Sequence, residues 1–291
     1  MTVNLAQLRA LLAVADTGGF STAAQELAVS QSAVSHAVAA LERALGAPVV
    51  HRDAPVRPTA LGDQILPHAR AAVVSAEAVT AIASRLGRAP AGTVRLAAPQ
   101  TVCQGLLPDL LTRWAAAHPR IRVRIFEGED DEIAAWLESG TADAAVVVDP
   151  EPALPGSRLL AHDAFHVVLR RDHPLAGEAE VDVRDLEDDP FLLSLGGCER
   201  RIREIFRSAG ARFAPVHRIR ELGTLISMVR AGIGVSVVPG LARPMLSGDL
   251  VLVPLLRAQR VHRRLVLSGP ASRPWLPSVS ALAEATEEVQ A

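Results

Sequence analysis

The sequence predicts an α/β protein with an all-α segment at its N-terminus, and three observations carry that prediction. Residues 1 to about 60 show the spacing of short amphipathic helices, and residues 60–88 form one long Ala-rich run. From Gly92 onward, strand-like and helix-like stretches alternate, which argues for parallel sheets with ligands at the carboxyl ends of the strands. A length of 291 residues suits about two domains.

Leu5, Leu8, Leu12 and Ala15 mark one face of a first helix, stopped by Gly18-Gly19. Ser21 or Thr22 is placed to cap a second helix ending near Ala28, and Thr22-x-x-Gln25 has capping-box spacing. Ser30 is placed to cap a third, which Gly46 terminates. Two helices joined by so short a turn make a helix-turn-helix. On the third helix Val34, Val38, Leu41 and Leu45 fall within about 60° of one another at about 100° per residue, a buried stripe. Ser32, His36, Ala39 and Arg43 fall opposite, with Gln31 and Ser35 beside them in the first turn. Such a small, hydrogen-bonding face is what entry into the major groove of double-stranded DNA requires.

Val49–His51 and Val56–Pro58 then bracket Asp53-Ala54-Pro55 as a small hairpin, or wing. Arg52 and Arg57 flank its tip, positioned for phosphates or a minor groove. The expected DNA contacts are therefore Ser21, Thr22, Ser30, Gln31, Ser32, Ser35, His36, Arg43, Arg52 and Arg57. In the following helix Ile65, Ala69, Val73, Ala76, Val79 and Ile82 keep helical spacing, and Pro67 is expected to bend it. An Ala-rich helix of this length is expected to lie against another helix.

Beyond Gly92 the strand candidates are Val94–Ala98, Ile121–Phe126, Ala144–Val148, Phe165–Leu169, Phe191–Leu195, Val235–Val238 and Leu265–Leu267. Helices are expected over Leu106–Trp114 and Ile133–Leu137, from near Cys198 and Leu222, and from about Trp275 to Val289.

Composition limits the function. All thirty basic residues are Arg, against 32 acidic ones, and the net charge of −2 excludes a polybasic tail or a generally cationic RNA binder. Within residues 1–62, Arg9, Arg43, Arg52 and Arg57 are balanced by Asp16, Glu26, Glu42 and Asp53, so few phosphate contacts and a shallow salt dependence are expected. An aromatic content of 3% excludes stacked single-strand platforms. Cys103 and Cys198 make no disulfide framework, which fits a reducing cytoplasm. Arg9 interrupts the apolar run Leu5–Val14 and no basic region precedes it, so no secretory leader is expected; nothing reads as a membrane span either. His162 and His166 lie in a strand-like run where that spacing does not converge, so no metal site is expected. Gly232-x-Gly234 follows a helix rather than a strand, and no nucleophile elbow or phosphate loop occurs. No catalytic constellation and no cofactor are expected.

Ser21, Ala23, Ala24, Leu27, Ser30, Gln31, Ala33, Val34, Ser35, Leu41, Glu42, Leu45 and Gly46 stand in one further pattern, continued by Arg52, Thr59 and Gly62 in the wing. In these residues the chain resembles the LysR-type transcriptional regulators. Ser32 stands where Pro is common in that family, which bears on base contacts, and Val49-Val50-His51 replaces Leu-Phe in the wing. The likeness continues through the long helix to AGIGVSVVP at 231–239. It implies a winged helix-turn-helix over 1–59, a linker and dimerisation helix over 60–88, and an effector-binding domain over 92–291. The last would resemble the two-lobed periplasmic solute-binding proteins (type 2), lobe 1 taking about 92–160 and 265–291 and lobe 2 about 161–264. It further implies a dimer or tetramer on promoter DNA, a small-molecule effector between the lobes, and RNA polymerase as a partner if the protein activates. A solute-binding protein without a DNA role is the competing class, and the attached helix-turn-helix speaks against it.

Strand ends in both lobes place Pro99, Gln100, Thr101, Cys103, Glu129, Asp130, Val148, Ser194, Gly197, Cys198 and Thr224 at the cleft. A helix start at Thr101 favours an anionic ligand, with a carboxylate effector slightly preferred. Glu129 and Asp130 have two readings: an acidic first turn of a helix, or a wall receiving an amine. Peroxide-sensing members of the family keep a reactive cysteine pair near the position of Cys198; here Arg200–Gly210 contains no second Cys. Arg200 and Arg201 are expected to lower the Cys198 pKa, which leaves redox sensing as an alternative.

Overall fold

Caps and apolar spacing set the N-terminal helices of the computed structural model, which describes residues 3–53, 55–84, 90–151, 156–271, 274–286 and 289–290. Helix α1 (Leu5–Thr17) starts at Asn4, whose side chain accepts from the Gln7 N–H while the Gln7 side chain accepts from the Asn4 N–H. Helix α2 (Phe20–Leu27) starts from Gly19 instead of Ser21 or Thr22, so the capping box expected at Thr22 does not form. Thr22 lies inside the first turn, and its hydroxyl donates back to the Gly19 carbonyl at 3.0 Å. Helix α3 (Gln31–Leu45) runs from Ser30, whose Oγ accepts from the Ala33 N–H, to Gly46 in the left-handed region.

Val34, Val38 and Leu41 are buried against Leu11, Val14 and Ala23. Leu45, assigned to the same stripe by spacing, is exposed because it lies in the last turn, past the three-helix core. Strands β1 (Val50–His51) and β2 (Arg57–Pro58) pair antiparallel as the wing, whose tip residue Ala54 lies outside the described residues. A Cβ at Gly62 would meet the Val49 carbonyl at 2.1 Å, so only glycine lets the next helix leave beside the wing. That helix, α4 (Ala60–Ser84), carries Pro67 within it. Its buried Arg70 guanidinium pairs with Asp16 of α1, which ties the long helix to the first one. Ala69 and Val73 are buried, but Val79 is mostly exposed. The Ile82 side chain and residues 85–88 lie outside the described residues.

The remaining chain forms β3 (Gly92–Ala98), α5 (Gln100–Gly105), α6 (Leu107–Ala117), β4 (Ile121–Glu127), α7 (Asp130–Ser139), β5 (Ala144–Val148) and β6 (Arg158–Arg170). It continues with β7 (Leu192–Ser194), α8 (Glu199–Ala209), β8 (His217–Ile219), α9 (Leu222–Arg230), β9 (Ser236–Pro239), β10 (Leu250–Pro254), β11 (His262–Ser268), α10 (Pro277–Glu284) and β12 (Val289–Gln290). An all-parallel arrangement does not form. β3 is parallel to β4 and β5, and β7 to β8, but β11 runs antiparallel to both β5 and β6. β6 is also antiparallel to β9 and β10.

The antiparallel set follows from β6, a 13-residue strand that belongs to both lobes. Its residues 158–164 pair with β11, and residues 165–170 pair with β9 and β10. One core gathers Leu96, Leu107, Trp114, Val146 and Leu265; another gathers Phe165, Leu193, Ile202, Phe206 and Val237. The helix expected from Trp275 to Val289 stops at Glu284, and Val289–Gln290 form β12, parallel to β6. Strands β8 and β10 were not expected; β8 is short and polar and β10 is a brief apolar run without alternation.

Candidate DNA interface and ligand cleft

Helices α2 and α3 meet at their starts. Ser21 Oγ donates to Gln31 Oε1 at 3.0 Å, which braces the Gln31 amide at the exposed start of α3. Ser30 and Ser32 hydroxyls bond each other at 2.9 Å. Gln31, Ser32, His36 and Arg43 are exposed along one side of α3, Ser35 is half-buried beside them, and Thr22 is exposed on α2. On the wing, Arg57 is exposed. Arg52 is half-exposed and braced, donating to Glu42 Oε2 at 2.8 Å and lying 5.7 Å from the Phe20 ring centroid. Glu42 also accepts the Val49 N–H, so one carboxylate of α3 fixes both the wing's entry and its arginine.

The second concave feature lies between the two cores, a cavity of about 110 Å³. Pro99, Gln100, Thr101, Glu129, Asp130, Val148, Ser194, Gly197 and Cys198 line it. Cys103 and Thr224 do not. Cys103 points into the first core with its Sγ toward the Ala98 carbonyl, and burial pushes its thiol up to about 12. Thr224 sits on the exposed side of α9, two residues on from Leu222, which does reach the cavity.

Sequence reasoning missed the residue at the centre of the wall. Arg263 of β11 is directly opposite Asp163 of β6 in the strand register. Both side chains are buried, and Arg263 Nε and Nη2 donate to Asp163 Oδ2 at 3.0 and 2.8 Å. Nη2 also donates to Thr101 Oγ1 at 2.7 Å, so the guanidinium joins α5 to the shared strands. Asp163 Oδ1 accepts the Leu241 N–H at 3.2 Å. Arg220 and Phe165 also line the wall without having been marked, together with Arg200 and Arg201, which the sequence placed near Cys198.

Asp149, at φ +46, accepts from the Arg264 N–H and from Arg201 Nη2 at 2.7 Å, a bridge from the end of β5 to α8. The Glu129 side chain caps α7 by accepting its own N3 amide, while Glu132 accepts the Glu129 N–H at 3.0 Å. The two readings of this acidic turn are thus compatible: Glu129 is the helix cap and also part of the wall. Loss of hydration raises the pKa of both Glu129 and Asp130; nearby Arg220 opposes the shift at Glu129 and Arg263 opposes it at Asp130.

The profile of bacterial regulatory helix-turn-helix proteins of the lysR family matches residues 5–63, and that of the LysR substrate binding domain matches residues 87–291. The chain belongs to the LysR family of transcriptional regulators. Among its LysR relatives, the uncharacterized HTH-type transcriptional regulator YvbU of Bacillus subtilis is 31% identical over 81% of each chain. A probable hydrogen peroxide-inducible genes activator of Mycobacterium avium is 35% identical over 83% of this chain and 79% of its own. A full-length OxyR variant of Pseudomonas aeruginosa superposes with a TM-score of 0.75 at 26% identity, covering 98% of this chain and 95% of that one.

The expected lowering of the Cys198 pKa in this LysR chain is reversed. The thiol is buried at the start of α8, and burial pushes it up to about 11; Asp130, Asp163 and Glu129 add to the rise, with Arg263 opposing. Arg201, expected to help, is committed to Asp149 and Glu204, and Arg200 is exposed. No helix among the described residues is long and apolar enough to cross a membrane.

Proposed function

We propose that this LysR-family regulator binds double-stranded promoter DNA sequence-specifically as a homodimer or homotetramer. Residues 1–59 read the DNA, residues 60–88 pair protomers, and residues 92–291 receive a small-molecule effector between lobe 1 (about 92–160 and 265–291) and lobe 2 (about 161–264). The observation that carries this reading is the exposed, hydrogen-bonding first turn of α3 set beside a wing with Arg52 and Arg57. In it, α3 supplies base contacts through Gln31, Ser32, Ser35 and His36, and the arginines with Ser21, Thr22 and Ser30 hold the backbone. Pairing through α4 sets two readers on a near-palindrome. An effector that favours one lobe orientation shifts the spacing of the readers through α4. RNA polymerase is the further partner where the bound protein activates.

A gel shift on the upstream region of the protein's own gene tests the reading. A sequence-selective shift at moderate salt is expected, and its absence rejects a promoter-binding role.

The relatives named for hydrogen peroxide favour a second reading, redox sensing through Cys198. A buried thiol held up to about 11 among carboxylates opposes the thiolate that such sensing needs. Promoter binding by a Cys198→Ser variant, with and without peroxide, separates the two; identical behaviour to the unsubstituted protein is expected.

A further inference from the structure

The cleft holds donors that the protein itself leaves unused. Ser194 is 3% exposed and lines the cavity, and its hydroxyl has no partner among the described residues. Thr101, 6% exposed, accepts from Arg263, and its own O–H has no acceptor there. Arg263 spends Nε and Nη2 on Asp163 and Thr101, which leaves Nη1 without an acceptor among the described residues. Buried donors without acceptors are costly, and one carboxylate satisfies several of them with charge-assisted hydrogen bonds.

Opposite charge stands in the same wall. The Asp130 carboxylate has no hydrogen-bonded partner among the described residues and lies in the space a Cβ on Gly197 would claim, at 2.7 Å. Glu129 lies similarly over Gly196, at 3.3 Å. Both come from lobe 1 and rest on glycines of lobe 2, so a group bound to them touches both lobes. The wall's arginines 200, 201 and 220 are matched in the lining by Glu129, Asp130 and Asp149, and the charge of Arg263 is answered from behind the lining by its buried partner Asp163, so the wall and its backing together carry no net charge. A purely anionic ligand meets repulsion from Asp130 and Glu129, and a purely cationic one from the arginines. A ligand bearing both signs uses both. The volume of about 110 Å³ is well below the roughly 300 Å³ at which drug-sized ligand pockets begin, which limits the ligand to a small molecule.

We infer that the effector is a small zwitterion, an α-amino acid or close analogue, whose carboxylate is received by Ser194, Thr101 and Arg263 and whose ammonium is received by Asp130 and Glu129. This rests on the reading of the cleft as the effector site. The raised pKa values of the two acids fit it, since a bound ammonium restores what desolvation takes from their charged forms.

The test is calorimetric titration of the full-length protein with each of the twenty protein amino acids. Any binder is then compared with its des-amino and decarboxylated analogues, such as propionate and ethylamine for L-alanine. At least one amino acid is expected to bind, with both truncated analogues weaker by about tenfold or more. Asp130→Asn should weaken the amino acid by about tenfold or more and leave the des-amino analogue bound as well as before or more tightly, since its repulsion is relieved. Ser194→Ala should weaken both carboxylate-bearing compounds. A des-amino analogue that binds as tightly as its parent, or a set of amino acids of which none binds, overturns the zwitterion while leaving the cleft open to another ligand. Binding of an amino acid that neither Asp130→Asn, Ser194→Ala nor Thr101→Val alters places the ligand elsewhere, and the cleft reading itself falls.

Discussion

Replacing Arg263 by Met removes one member of a buried pair without opening a large void. Among the described residues, the partner carboxylate of Asp163 is then left with a single N–H donor, that of Leu241 at 3.2 Å, and Thr101 Oγ1 loses its donor. Both charged side chains are nearly inaccessible, 5% for Arg263 and 1% for Asp163, so no other protein charge takes the place of the lost guanidinium. Breaking such a pair from one side costs about 3–5 kcal/mol. Removing both partners, as in Arg263→Met with Asp163→Leu, abolishes the stranded charge and leaves the Leu241 N–H unmet, a residual cost of about 1–3 kcal/mol. Urea unfolding followed by tryptophan fluorescence reads this directly, because Trp114, Trp136 and Trp275 all lie beyond residue 91. The double variant should therefore be more stable than Arg263→Met alone. A loss below about 1 kcal/mol for the single substitution, or a double variant no more stable than the single, refutes the stranded-charge reasoning.

The other predictions concern the reader, the thiols and one carboxylate. Arg57→Ala should weaken DNA binding across sequences and lower the salt slope by about 0.9, whereas Gln31→Ala should change preference at one base position by about 1–3 kcal/mol; binding titrations across salt concentrations and operator variants check both. A wild-type slope that implies more than about five phosphates per protomer contradicts the neutral charge of residues 1–62. With Cys198 held up to about 11 and Cys103 to about 12, alkylation of the native protein at pH 8 should run about a hundredfold slower than for free cysteine at Cys198 and slower still at Cys103, and urea should abolish the difference. Asp130 has its pKa raised by desolvation, with Asp131 and Asp149 adding and Arg263 opposing. In the unfolded chain it loses its proton at lower pH, so its contribution to stability falls as pH rises from about 3.8 through the folded value. Asp130→Asn should accordingly melt above the unsubstituted protein at pH 7, the difference closing at pH 3; a lower melting temperature at pH 7 would show that Asp130 is paired.

Legibility in the sequence followed the range of the interactions. Ser30, Gly46 and the Val34–Val38–Leu41 stripe act within a few residues of one another, so the third helix and its exposed face were readable from spacing. Thr22 failed as a cap because Gly19 reaches the extended conformation one residue before Phe20 and the helix starts earlier. Leu45 failed as a core residue because periodicity tells which side a residue faces but not where the neighbouring helices end. Of the residues placed at strand ends, Thr101, Asp130 and Ser194 line the cavity and Cys103 and Thr224 do not, because the side of a helix that faces the cavity depends on how the helix packs.

What the sequence by itself determined is the helix-turn-helix, its wing, the long following helix and the succession of strands behind them. Each is set by caps, glycines and apolar period over short stretches of chain. Tertiary structure alone decided that β6 serves two cores, that the sheet is mixed, and that Cys198 sits among carboxylates rather than under the influence of its neighbouring arginines. It alone joined Arg263 to Thr101, 162 residues away in the chain. The reason is physical: burial and strand pairing bring distant residues together, and the electrostatics of a wall depend on which charges burial leaves facing one another.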